Sequence, residues 1–301
     1  MVIRTSTMYF LKLLALMAVK KKIDPLRYEL YNFTNFIDSM RWHRINALLI
    51  RHLYLFKRSV PRLMDILFWP VMELLLWGFI SAYISKLNIA GFNAVTVLLG
   101  AVVFWDLLSQ SQRAVSIAFL EEVWERNFLN IFVAPLRISE FLASTVILAF
   151  VRLLMVAVVM SILAFFLFHF NFFIFGFYLL PFMLNLLFFG SAIGLFTTAI
   201  ILRYGTSAQV IAFGLLFLVQ PFSAVFYPVS VLPQVVQWIA YLLPSTYVFE
   251  GMRAVIATGT LPSMLLVGAI VSNIIYFVVL CWYFYRSFAA VKVKGKLLKL
   301  D

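Results

Sequence analysis

The sequence predicts an all-α, polytopic membrane protein with six transmembrane helices, an N-terminal interfacial amphipathic helix and a re-entrant outer helical hairpin before the last span. Three observations predict it. Of 301 residues, 64% are hydrophobic and 12% charged, against about 25% charged in ordinary soluble domains. Six apolar runs follow one another, each bounded by polar or charged residues and each near the roughly 20 helical residues that a bilayer core requires. Finally, Pro228, Pro233 and Pro244 divide the stretch from Phe226 to Gly259 into apolar pieces of about 11 to 13 residues, which can enter a bilayer but not cross it.

Taken in order, residues 1–40 form an N-terminal cytoplasmic extension. Met8 to Val19 reads as a short surface helix rather than a signal peptide, because Lys12 interrupts the apolar run, Lys20 to Lys22 follow it, and no small-residue cleavage site appears. Residues 23–40 are mixed and polar and suggest no function. Residues 41–61 form the interfacial helix: Arg44, Arg51 and Arg58 recur every seven residues, while Ile45, Leu49, Leu53 and Phe56 cluster on another face. Such a basic side is attracted to anionic lipid head groups, and it also serves as a positive flank that sets topology.

Residues 62–290 form the permeating domain, with spans at about 62 to 84, 94 to 116, 138 to 168, 176 to 202, 207 to 226 and 263 to 285. Residues 291–301 are a basic cytoplasmic tail. With the N-terminus inside, 21 of the 24 Lys and Arg fall on the inner side; Lys86 and Arg253 lie outside and Arg152 lies within the membrane. Both termini are therefore expected in the cytoplasm. The basic excess is explained as topology, which removes a nucleic-acid partner. The lone cysteine, Cys281, lies in an apolar run, so neither a disulfide frame nor a cysteine metal site is expected, and no metal site is assigned.

Two groups of polar residues stand out. The longest inner connection, Ile117 to Arg137, carries Glu121, Glu122, Glu125 and Arg126; Glu122 and Arg126, spaced i,i+4, can pair along one helix, and Trp124 and Phe128 share another side. Within the spans lie Glu73, Asp106 and Arg152. An unpaired ionisable group there costs at least about 2.5 to 3.5 kcal/mol. Counting about 1.5 Å per residue, Glu73 lies roughly 16 Å above Arg62, Asp106 roughly 10 Å above Arg113, and Arg152 roughly 18 Å above Glu140. These depths let Arg152 pair with one or both acids, and one cation with two acids fits a structural ion-pair network better than a proton relay. In the fourth span Gly190 and Gly194 form a G-x-x-x-G surface suited to close helix packing.

In the divided stretch, Pro233 suits the first turn of a short helix that Pro244 ends. A second short helix runs from about Ser245 to Ala257, capped by Ser245 or Thr246 and stopped by Gly259. Glu250 and Arg253, spaced i,i+3, can pair on it. Broken backbone at membrane depth survives only where it is buried in protein or lines a wet cavity.

The order F-Y-P-V-S-x-L-P, Q-W-I-A, L-P-S-T-Y-V-x-E-x-M-R and then a glycine six residues after Arg253 resembles the last third of a type-two ABC exporter permease. E-E-x-W-E-R-N followed by A-P-L-R resembles that family's cytoplasmic coupling segment. The resemblance covers about residues 41 to 290. It implies a permease in the bacterial cytoplasmic membrane, working as a homodimer with an ABC ATPase subunit that binds ATP and Mg, while this chain binds no cofactor. Glu121, Glu122, Glu125 and Arg126 would then couple to the ATPase, and Pro228, Pro233, Pro244, Glu250 and Arg253 would build a re-entrant outer gate. The cargo would be a polysaccharide, glycolipid, lipid or drug-like molecule.

The sequence holds no G-x-x-x-x-G-K-[ST], so no P-loop. Nor does it hold H-E-x-x-H or G-x-S-x-G, and a transport subunit that is not itself an enzyme is expected. Two alternatives remain at this level. A membrane-embedded transferase acting on lipid-linked substrates should show catalytic acids or a metal motif, and a secondary transporter should show repeated halves and an ion site near the midplane.

Overall fold

The computed structural model describes residues 41–87, 94–125, 127, 130 and 136–293. Residues 1–40, Arg126, Phe128 and the tail from 294 onward lie outside the described residues, and with them the surface helix at Met8–Val19 and the Glu122–Arg126 pairing. Among the described residues the chain is mostly helical, with short turns between helices, and has no strand. The principal helices are α1 (Trp42–Arg58), α2 (Val60–Lys86), α3 (Ala94–Trp124), α4 (Ile138–Phe168), α5 (Leu179–Tyr204), α6 (Gln209–Phe222), α7 (Gln234–Leu242), α8 (Pro244–Thr258) and α9 (Ser263–Val293).

Five of these, α2, α3, α4, α5 and α9, are long and apolar enough to cross a membrane. The expected fifth span, 207 to 226, is shorter than anticipated. α6 has 14 residues, about 21 Å at 1.5 Å per residue, and backbone breaks bound it at both ends. Gly205, at φ 82°, stops α5 and a single 3₁₀ turn follows; beyond α6, Ala224 adopts φ 50° in the turn that opens the hairpin.

The centre of the fold is α3, whose Leu99, Val102, Val103, Phe104, Leu107 and Leu108 are fully buried. It packs against α2, α4 and α5, and α9 closes over α5. The glycines of α5 set the closest approach. A Cβ on Gly190 would lie 2.6 Å from the Leu108 carbonyl oxygen, and one on Gly194 would lie 2.7 Å from the Val115 Cβ. G-x-x-x-G thus marks the α3–α5 seam. Across α5 and α9, the Asn273 amide donates to the Asn185 side-chain oxygen at 2.8 Å, a buried polar link between two apolar helices.

α1 packs on its own chain along one side. Its first turns meet Glu140 and its Phe56 meets Arg152. Each pair of contacts is separated by twelve residues on either helix, so α1 and the first turns of α4 run side by side in the same direction for about 18 Å. The buried side of α1 is Ile45, Leu48, His52 and Phe56. Leu53, expected on that apolar face, is exposed, as are Trp42, Ile50 and Tyr54. α3 and α4 each have 31 residues, about 46 Å. They exceed a ~30 Å hydrocarbon core, and α1 packs along the first half of α4.

Candidate functional site

The acidic segment after the second span is held by arginines from α1 and α2. Arg51 of α1 forms a two-point ion pair with Glu122, one contact at 3.1 Å, and approaches Glu125 at 3.9 Å. Arg62 of α2 reaches Glu125 at 2.8 Å and Glu121 at 3.5 Å. At the other end of α1, Arg44 pairs with Glu140 at 3.4 Å, and the same carboxylate accepts the backbone N–H of Arg41 and Arg137. Three rungs therefore fasten α1 and the α1–α2 corner to α3 and α4. Two of the three heptad arginines thus face carboxylates of the same chain rather than lipid; Arg58 alone of the three is exposed. Glu122 is 1% exposed and also accepts the Asn127 amide at 2.8 Å, so its carboxylate is directed into the chain.

His52 is the second polar group on the inner side of α1. Its Nε2 is buried with no hydrogen-bond partner, and burial lowers its pKa to about 4, Glu122 opposing in part. The ring is neutral and packs as a core group.

Within the spans the three charged residues do not form the expected network. Glu73 of α2 and Asp106 of α3 face each other, and the cation whose field reaches both is Arg113. Neither Asp106 oxygen is reached by a backbone, amide or hydroxyl donor. Arg152 forms no ion pair with either acid. It lies over the Phe56 ring, 4.4 Å from the centroid, near Glu121 and Asp65. Arg152 faces the end of α1 because α1 runs alongside α4 from Glu140 to Arg152.

The broken stretch forms a hairpin of two short helices. α7 has 9 residues and α8 has 15, about 14 and 22 Å, so neither crosses. Pro233 sits at the N-cap of α7, one residue before its first turn, and Pro244 opens α8 at its first position with Leu243 as the cap. Ser245 and Thr246, expected as caps, are buried inside the first turn, where the Ser245 hydroxyl meets that of Ser223 at 2.8 Å. Gly259 ends α8 at φ 71°, where a side chain would be strained.

Glu250 and Arg253 form the expected i,i+3 pair at 3.0 Å, and both also hold the turn that leads into the hairpin. Arg253 donates to the carbonyls of Ala224 at 2.8 Å and Val225 at 3.2 Å, while Glu250 accepts the Val229 N–H at 2.7 Å. The strained Ala224 turn is thus clamped to α8. Tyr227, next to Pro228, donates to the Pro221 carbonyl at 2.6 Å, and Phe226 stacks on Trp77 of α2 at 4.2 Å.

A family model described as ABC-2 type transporter matches residues 44–257. The match begins in the first turn of α1 and ends in the last turn of α8, and takes in the α1 clamp, the intramembrane charges and both halves of the hairpin. The chain belongs to the ABC-2 type transporter family. It is therefore a multi-pass membrane protein and the permease component of an ABC transporter, a family whose membrane subunits pair with an ATPase subunit and are in general not themselves catalytic. A comparison with curated proteins found no match.

In this ABC-2 permease, sequence reasoning missed Arg62, Glu140, His52 and Asp65. The heptad spacing of Arg44 and Arg51 was visible, but a basic stripe looks the same whether it meets lipid phosphates or carboxylates of its own chain. Among the described residues no cluster of three or more His, Cys, Asp or Glu could hold a metal ion.

Proposed function

We propose that this permease works in the bacterial cytoplasmic membrane as a homodimer with two copies of a separate ATPase, both termini on the cytoplasmic side, and exports a polysaccharide, glycolipid, lipid or drug-like molecule. ATP and Mg bind to the ATPase. The segment from Glu121 to Arg126 receives its movement, and the clamp of Arg44, Arg51 and Arg62 on Glu140, Glu122, Glu121 and Glu125 passes that movement to α1, α2, α3 and α4 together. In this reading Glu122 is an internal anchor; Glu121 and Glu125, more exposed, border the contact with the ATPase, to which Arg126 contributes. The hairpin, with Glu250 and Arg253 holding the Ala224 turn, forms the outer gate. Surface and membrane lipids bathe the exposed side of α1, where Trp42, Ile50 and Tyr54 lie.

The observation that carries this reading is that one family match spans both the clamp and the hairpin. It favours a permease over a transferase or a secondary transporter. The test is co-purification in lipid with an ATPase carrying a P-loop, encoded beside this chain. Stable capture supports the reading, and failure to capture it under conditions where the chain is folded contradicts it.

A further inference from the structure

Where α1, α2, α3 and α4 meet, a half-open cavity of about 200 Å³ is lined by Phe56, Arg62, Asp65, Ile117, Glu121 and Arg152, among others. Arg152 is 4% exposed. Its guanidinium lies over Phe56 at 4.4 Å, its Nε has no hydrogen-bond partner, and it forms no ion pair among the described residues. The acids on the cavity wall do not neutralise it at contact: Glu121 is engaged by Arg62 at 3.5 Å, and Asp65 is exposed and makes no ion pair with Arg152 among the described residues. A buried guanidinium in a membrane protein without an acceptor is costly, and its planar fork matches a phosphate. The volume corresponds to roughly seven waters at ~30 Å³ each, below the roughly 300 to 1,000 Å³ of drug-sized sites. It suits a head group and not a whole cargo molecule.

We propose that this cavity binds a phosphate-bearing lipid head group, its phosphodiester on Arg152 and its ammonium or hydroxyl toward Asp65. The paired signs favour a zwitterionic or hydroxylated head group over a bare anion. Such a lipid would fill the junction at which the α1 clamp meets the spans and would stabilise it. The proposal needs only that the chain sits in a bilayer, so it stands or falls apart from the ATP-driven reading.

The test uses the full chain, delipidated in a neutral detergent, with phosphatidylethanolamine titrated in and bound lipid read by native mass spectrometry. Inorganic phosphate is added in a parallel arm. The expected result is one retained lipid per chain, with affinity reduced about tenfold or more in Arg152→Gln, as loss of a charge-assisted hydrogen bond implies. Ile117→Trp, which fills the cavity and leaves Arg152 in place, should show the same loss, and Arg152→Lys, which keeps the charge without the fork, an intermediate one. Should Arg152→Gln fail to fold, the other two variants decide. Equal lipid retention by wild type and Ile117→Trp would overturn the proposal. So would full displacement of the lipid by millimolar inorganic phosphate, which would make the site one for the free ion.

Discussion

The Arg51–Glu122 rung gives the sharpest prediction, because its two partners differ in burial. The Glu122 side chain is 1% exposed and that of Arg51 32%. Replacing Glu122 by Gln leaves Arg51 one-third in solvent with Glu125 at 3.9 Å to receive it, and the new amide can still meet Asn127. Replacing Arg51 by Gln leaves a buried carboxylate whose remaining partner among the described residues is the Asn127 amide. Breaking a fully buried pair from one side costs about 3 to 5 kcal/mol, and an exposed pair contributes about 0 to 1. Arg51→Gln should therefore cost about 3 kcal/mol and Glu122→Gln about 1 to 2 kcal/mol. Equilibrium unfolding in mixed micelles, with the double variant closing a cycle, would give a coupling of about 1 kcal/mol or more. A larger loss for Glu122→Gln than for Arg51→Gln, or a coupling near zero, would refute the geometry of the clamp.

Other expectations follow from the same contacts. Gly190→Ala and Gly194→Ala push a methyl into α3 and should each destabilise by about 1 to 3 kcal/mol, whereas Gly214→Ala, where nothing lies within 4 Å of the new atom, should be neutral in the same unfolding assay. Arg253→Ala removes donors from the Ala224 and Val225 carbonyls and frees Glu250. It should loosen the hairpin by about 2 to 3 kcal/mol, read as faster proteolysis at residues 223 to 233 with loss of transport; normal transport with unchanged protease access would contradict the gate. His52 has a folded pKa of about 4 against 6.5 ordinarily. The unfolded chain therefore takes up a proton first as pH falls, and stability present above pH 6.5 is lost between 6.5 and 4, by up to about 3 kcal/mol. His52→Phe should flatten that part of the pH–stability curve.

The parts of the fold that were legible in the sequence are those set by local chemistry. Prolines restrict the backbone wherever they stand, so Pro233 and Pro244 marked the hairpin to within a residue, and the i,i+3 spacing of Glu250 and Arg253 gave their pair. The glycines of α5 likewise announced a close seam, although not that α3 was its partner. What was not legible depends on how helices lie against one another. The length of α6 is set by the breaks at Gly205 and Ala224, and an alanine carries no signal of a left-handed turn. The partner of Arg152 could not be read because depth counted along one helix presumes a common starting level, and α4 starts alongside α1. The arginine stripe of α1 gave two of the three clamp arginines, Arg44 and Arg51, but neither Arg62 nor the surface that they face.

The most direct test of the central claim is ATP turnover by the partner ATPase in lipid nanodiscs, alone, with the wild-type chain, and with Arg51→Glu, Glu122→Arg and the combined reversal. The account predicts that the wild-type chain changes turnover, that each single reversal abolishes the change, and that the combined reversal restores much of it. Turnover indifferent to the chain, or to the single reversals in folded protein, would contradict coupling through this clamp.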